Sequence, residues 1–339
     1  MLSHFLCSYK AAGKRKEIAM DQLLQDALAC GKQFVHLGKP ADYIPALAKA
    51  NGNRLGIAVV TTDNQTFCCG DCDDRFTIQS IGKVIVLALA LEDCGEDVVF
   101  TKVGVEPTGD AFNSILRLDQ LDHIRPYNPL INAGAIATIT NIRGEDGEHR
   151  FTRLLQYARL LCGNPGLDYD QEVYRSEKAT GDRNRALAYL MKSHRIFFGD
   201  VEEHLDVYFK MCSLRVTCRE IAHMGAVLAD GCLPETGKRV ITPRVLKIVR
   251  TLMTTCGMYD ASGEFAVRVG LPAKSGVGGG IVATVPGRFG IGVYGPALDK
   301  KGNSVAGIEM LQYLSDQMDL SIFGAGPYNE LNISGNGQN

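Results

Sequence analysis

Two short motifs in the sequence each set a hydroxyl beside an amine. The first is Ser80-Ile81-Gly82-Lys83, which opens a run that is apolar almost throughout 81–91. Residues three apart on a helix share a face, so Ser80 and Lys83 can touch. A lysine sunk in apolar surroundings has its charged form disfavoured, and its neutral amine becomes available as a base. Next to a serine hydroxyl, that amine accepts the proton and leaves an alkoxide-like nucleophile. A helix start adds free backbone N–H donors and positive dipole where negative charge would develop. A capping serine beside a solvated lysine satisfies the same four letters.

Lys274-Ser275-Gly276-Val277, followed by Gly278-Gly279-Gly280 and a strand-like run, bears on that choice. Serine enzymes of the penicillin-recognising type pair SxxK with K-[ST]-G on a sheet strand, whose backbone supplies an oxyanion donor. The glycines are expected to let a substrate lie against the strand without obstruction. The plainer alternative is a glycine-rich turn after a strand.

The elements that must position these motifs follow from hydrophobic spacing. A helical stripe covers 20–36, and strands at 55–61 and 66–69 form a hairpin around Asp63-Asn64. The apolar segment 81–91 reads as a buried helix. Residues 100–255 read as loop-rich, then helical at 151–162, 183–192, 204–211, 218–229 and 243–255. Strands are expected again at 265–269, 280–285 and 289–294, the last two joined by Pro286-Gly287, with a closing helix at 304–318. Strands at both ends with helices between imply a sheet built from both ends of the chain. The expected division is a sheet domain from 20–75 and 256–325 and a mainly helical subdomain from 76–255. Residues 1–19 and 326–339 are expected to be flexible tails.

Longer stretches make the pattern specific. The chain contains Ala41-Asp42-Tyr43-Ile44-Pro45, Glu106-Pro107-Thr108-Gly109, Asn113-Ser114 and Asn128-Pro129-Leu130-Ile131-Asn132-Ala133-Gly134-Ala135-Ile136. It also contains Ser176-Glu177, Gly181-Asp182-Arg183-Asn184, Cys256-Gly257-Met258-Tyr259-Asp260 and Gly270-Leu271-Pro272-Ala273-Lys274-Ser275-Gly276. With the two motifs, and over 20–319, the sequence resembles the glutaminase family. That resemblance implies a β-lactamase/transpeptidase-like fold of α/β (α+β) class, a mostly antiparallel sheet flanked by helices plus a helical subdomain. It implies hydrolysis of L-glutamine, with Ser80 as nucleophile and Lys83 as its activating partner.

Carried over residue by residue, the resemblance makes Asn132, Glu177, Asn184, Tyr208, Tyr259 and the backbone of Val277 substrate-binding, and Tyr43 a lid. Tyr208 and Tyr259 also become candidate proton relays. The chemistry is coherent: the ammonium of free glutamine needs an acceptor such as Glu177, and its carboxylate needs donors such as the amides of Asn132 and Asn184. Two departures are small. Gly82 stands where a larger residue is common, at a helix cost of up to about 1 kcal/mol, and Thr108 replaces a serine. The stretch 115–125 differs from the animal version, so phosphate activation is not carried over.

Composition sets the remaining bounds. With 45% apolar and 22% charged residues among 339, the chain is expected to fold as a globular protein. A net charge of -2 offers no basic face for nucleic acid. Eleven cysteines without a regular framework fit a reducing compartment. Cys68, Cys69 and Cys72 cluster, but no second ligand pair follows them to complete a zinc site. No metal or organic cofactor is expected. No apolar run reaches about 18 residues, and none near the start resembles an export signal, so a cytoplasmic protein is expected. A homo-oligomer, dimer or tetramer, is expected by family analogy. A β-lactamase or D-alanyl peptidase, and a non-catalytic amino-acid-binding module of the same fold, are the rival readings.

Overall fold

The computed structural model describes residues 19–108 and 125–324. Asn113-Ser114, most of 115–125 and nearly all of both expected tails lie outside the described residues. The chain begins with α1 (Met20–Lys32), then the hairpin β1 (Gly56–Thr61) and β2 (Thr66–Gly70), and a short β3 (Phe76–Thr77). Helices α2 (Gly82–Cys94), α3 (Glu96–Lys102), α4 (Asn132–Ile139), α5 (Gly147–Leu161), α6 (Gln171–Ala179), α7 (Asp182–Ser193) and α8 (Val201–Cys212) follow. After β4 (Arg215–Val216) come α9 (Cys218–Asp230), α10 (Pro243–Cys256) and α11 (Ser262–Arg268). Strands β5 (Ala273–Ser275), β6 (Gly280–Val285) and β7 (Phe289–Tyr294) and helix α12 (Val305–Met318) close the fold.

The main sheet has the order β2-β1-β7-β6-β5, antiparallel at every pairing. Its central strand β7 pairs with β1, from the start of the chain, and with β6, so the two ends of the sequence do meet in one sheet. Strand alternation feeds two cores. Ile57 and Val59 of β1 face the layer made by α1, α12, Met258 and Phe265, whereas Ala58 and Val60 face the helical side. The capping box of α9, Thr217 with Glu220, starts that helix directly under the sheet. Although α9 lies within 76–255, it packs on β7, β1 and β6. Two-stranded pairing of β3 with β4 ties the segment before Ser80 to the segment after α8.

The strand expected at 265–269 is a helix. In a strand Phe265, Val267 and Val269 would share a face, but Phe265 and Val269 are buried while Val267 is 89% exposed. That is helical spacing, since residues four apart meet and residues two apart do not. The alternation of Phe-Ala-Val-Arg-Val imitated a strand. Helix α4 falls inside the stretch read as loop-rich, whereas α3 ends at its edge and α6 lies between two expected helices, and none of the three is expected from the spacing. All eight residues of α4 are buried, so it has no polar face to give a period.

Candidate active site

The Ser80 segment is built backward from a strained turn. Ile78 N–H donates to Leu214 O over 2.7 Å, fixing the chain as it leaves β3. Gln79 then adopts φ 49°, a left-handed conformation uncommon outside glycine. Its Nε2 donates to Thr77 Oγ1 over 3.3 Å and its amide also hydrogen-bonds Glu177. Ser80 sits in the single 3-10 turn of 79–81 that runs into α2, so it precedes the buried helix by two residues. The glycine inside the motif has a packing reason. A Cβ on Gly82 would lie 2.3 Å from Met211 Sδ of α8.

Lys83 is completely buried, and its Nζ donates to Asn132 Oδ1 over 2.6 Å. Asn132, the first residue of α4, passes the connection on: its Nδ2 donates to Asn184 Oδ1 over 2.9 Å. Burial brings the Lys83 ammonium down to about 8, against the pull of Glu177. Glu177, on α6, is buried too, and burial pushes its carboxyl up to about 7 despite the Gln79 bond and Lys83.

Tyr259 stands at the centre. Its hydroxyl is hydrogen-bonded to Ser80 and to the backbone of Val277, and it donates to Ser275 O over 3.1 Å. The ring is held from beneath by Lys274, whose Nζ lies 4.3 Å from the ring centroid and donates to the same Ser275 carbonyl over 2.6 Å. Tyr259 has φ 55°, a second backbone outlier beside Ser80. Tyr208 is buried on α8 and hydrogen-bonded to Cys212, one turn further along. Burial, then Cys212 and Glu177, raise its hydroxyl well above the ordinary tyrosine value.

Two of the glycines after Lys274 have a packing reason within the protein. A Cβ on Gly276 would lie 2.7 Å from Ile78 O, and one on Gly278 would lie 2.4 Å from Thr77 O. They let the Val277 turn press against the segment that leads into Ser80; at these two positions the protein's own backbone is the close neighbour. Tyr43 is 54% exposed, yet it interacts with Tyr259 and Glu177. It lines a cavity of about 580 Å³ whose wall also includes Val277, Asp260 and Asp299. The structure therefore gathers Ser80, Lys83, Asn132, Glu177, Tyr208, Tyr259 and Val277 in one buried cluster, with the half-buried Asn184 beside it and Tyr43 at its rim. Sequence reasoning missed Gln79 and Cys212. Gln79 had a signal in its place directly before Ser80, whereas Cys212 looked like any apolar helix residue. Among the described residues, no group of three or more His, Cys, Asp or Glu is placed to hold a metal ion.

A profile of glutaminases matches residues 38–323. The chain belongs to the glutaminase family. The glutaminase of Alkaliphilus oremlandii is 54% identical over 301 residues, spanning 88% of this chain and 99% of that protein. The solved structure of the probable glutaminase ybaS matches at a TM-score of 0.84 and 42% identity, over 89% of this chain and 98% of its own. The probable glutaminase from Bacillus subtilis, solved in complex with 6-diazo-5-oxo-L-norleucine, matches at 0.82 and 40% identity. That match covers 93% of this chain and 100% of the other. The fold implied by the resemblance thus holds, with its mainly antiparallel sheet flanked by helices.

Proposed function

We propose that the chain hydrolyses L-glutamine to L-glutamate and ammonia through an acyl-enzyme on Ser80. The observation that carries this reading is the contact of the Ser80 hydroxyl with Tyr259, one helical turn from a buried lysine that burial brings down to about 8. Lys83, with Tyr259 as relay, takes the Ser80 proton as the oxygen attacks the side-chain carbonyl. The glutamine oxygen replaces the Tyr259 hydroxyl on the Val277 N–H, and the Ser80 N–H completes the oxyanion hole. Ammonia leaves, protonated through the same relay, and water then cleaves the γ-glutamyl ester.

In this reading Glu177 holds the α-ammonium, Asn132 and Asn184 hold the α-carboxylate, and Tyr208 and Tyr259 hold the amide. Tyr43 closes the cavity, which excludes water and strengthens the polar contacts inside. Glu177 and the paired asparagines favour a free amino acid, which separates this chain from a β-lactam or peptide hydrolase. Ammonia release from glutamine, set beside asparagine and a chromogenic β-lactam, tests the reading. β-Lactam turnover without ammonia release from glutamine would overturn it.

The remaining parts of the proposal are coarser. Among the described residues no helix is long and apolar enough to cross a membrane. We place the protein in the cytoplasm, as a homo-oligomer of two or four subunits, divided into the sheet domain and helical subdomain given above. Light scattering that finds only a 36.8 kDa monomer at micromolar concentration would overturn the oligomer.

A further inference from the structure

Strand β2 sends Cys68 and Cys69 to opposite faces of the sheet, as alternation requires. Cys69 packs with Phe67 on the α1–α12 side, whereas Cys68 packs on the α9 side, in the same cluster as the buried Cys72. Gly70, at φ 70°, turns the chain between them, and the Cys68 and Cys72 side chains are hydrogen-bonded as free thiols. Cys218 opens α9 by donating its N–H to Cys72 O over 3.1 Å. That contact brings the next residue, Arg219, beside both Cys68 and Cys72. Its Nε donates to Asp73 Oδ1 over 2.7 Å, and Asp73 Oδ2 in turn accepts from Cys72 Sγ at 3.7 Å.

These are the surroundings of a reactive thiol pair: a cation nearby, one half-buried sulfur open to small reagents, and a second sulfur behind it. We propose that Cys68 and Cys72 form a dithiol modification site that a peroxide closes to an intramolecular disulfide. Burial pushes the Cys72 thiol up to about 12, so attack begins at Cys68. The Cys68 thiolate attacks a peroxide oxygen and the O–O bond breaks. Cys68 becomes a sulfenic acid, and the departing hydroxide takes the proton that Cys68 released. The Cys72 sulfur then displaces the sulfenic hydroxyl, the S–S bond forms, and the thiol proton leaves with that hydroxyl as a second water. Two thiols lose two electrons and one peroxide is reduced to two waters. Cys69 takes no part, because the sheet lies between it and Cys72.

The test uses the full chain carrying Cys69→Ser, which removes ambiguity in assigning the neighbouring sulfurs. After treatment with hydrogen peroxide, alkylation and digestion, the peptide spanning Cys68 and Cys72 should be unalkylated and lighter by two hydrogens. Adding Cys72→Ser should leave Cys68 as a sulfenic acid that dimedone labels, and Cys68→Ser should leave Cys72 alkylated. Cys68 advancing to sulfinic acid while Cys72 stays alkylated would overturn the site. So would a Cys72–Cys218 linkage, or linkage of 68 to 72 no faster than loss of the half-buried Cys30.

Discussion

The Lys83 amine, wholly removed from solvent, donates to Asn132 Oδ1 over 2.6 Å. The amine proposed as the base is thus fastened by an uncharged partner, and Asn132 is in turn fastened by Asn184. A neutral amide oxygen steers the amine without the full charge stabilisation that a carboxylate there would supply. Burial therefore dominates, and the amine sits near 8.

Two limbs of a pH profile follow. Lys83 is an effective base only above its pKa, so kcat should rise through about pH 8 and then level. Glu177 accepts an ammonium only when ionised, so kcat/KM should fall as pH drops through about 7. Stability should move with the same groups. Glu177 is raised above its ordinary 4.5, so the folded state binds the extra proton and stability declines as pH rises from 4.5 to 7. Lys83 is lowered from 10.5, so its part of the stability recovers as pH rises from 8 to 10.5. A pH-independent kcat between 6 and 9 would remove Lys83 as the base.

Much of this site was legible because its parts are local. Ser80 and Lys83 lie one turn apart, and Lys274 precedes Ser275 on a strand end, so spacing alone marked both pairs, although the Lys274 amine meets the Ser275 carbonyl and not its hydroxyl. Tertiary geometry hid the rest. Nothing in the letters says that Tyr259, at φ 55°, reaches Ser80, or that Gln79 grips Glu177. The glycines after Lys274 were legible as a close approach, but the partner of that approach, the backbone at 77–78, was not. In the fold, Phe265 and Val269 misled because a four-residue period and a two-residue period coincide on apolar positions in so short a run.

Tyr43 should separate turnover from stability. It is 54% exposed, so its removal leaves little cavity in the core, yet it interacts with Tyr259 and Glu177. Tyr43→Ala should lower kcat strongly and leave Tm almost unchanged. Loss of Tm together with activity would make Tyr43 a core residue and end its part as a lid.

Glu177 should set the requirement for a free α-amino group. Removing one partner of a desolvated charge pair costs on the order of 2–5 kcal/mol. Glu177→Gln keeps the shape and the Gln79 contact but not the charge, so kcat/KM for glutamine should fall roughly 30-fold or more. N-acetylglutamine should be a very poor substrate of the unaltered chain. Equal rates on glutamine and N-acetylglutamine would strip Glu177 of this role.

Ser80 should carry the acyl group, and the structure names its strongest rival. Amidohydrolases that use cysteine exist, and this chain has eleven cysteines. Within the gathered cluster the rival thiol is Cys212, which is hydrogen-bonded to Tyr208 and interacts with Lys83 and Glu177. Burial pushes its thiol well above the ordinary value, and a nucleophilic thiol requires the opposite shift. Ser80 is hydrogen-bonded to Tyr259, whose hydroxyl also meets the Val277 backbone, and it lies one turn from Lys83. Ser80→Ala should therefore abolish ammonia release, and Lys83→Ala should come close to doing so, because either loss disables the pair as a unit. Cys212→Ala should retain turnover. After exposure to an electrophilic glutamine analogue, mass spectrometry should find the adduct on the peptide containing Ser80. An adduct on Cys212 with Ser80 untouched would transfer the nucleophile's role to the thiol while leaving the reaction as hydrolysis of an amide.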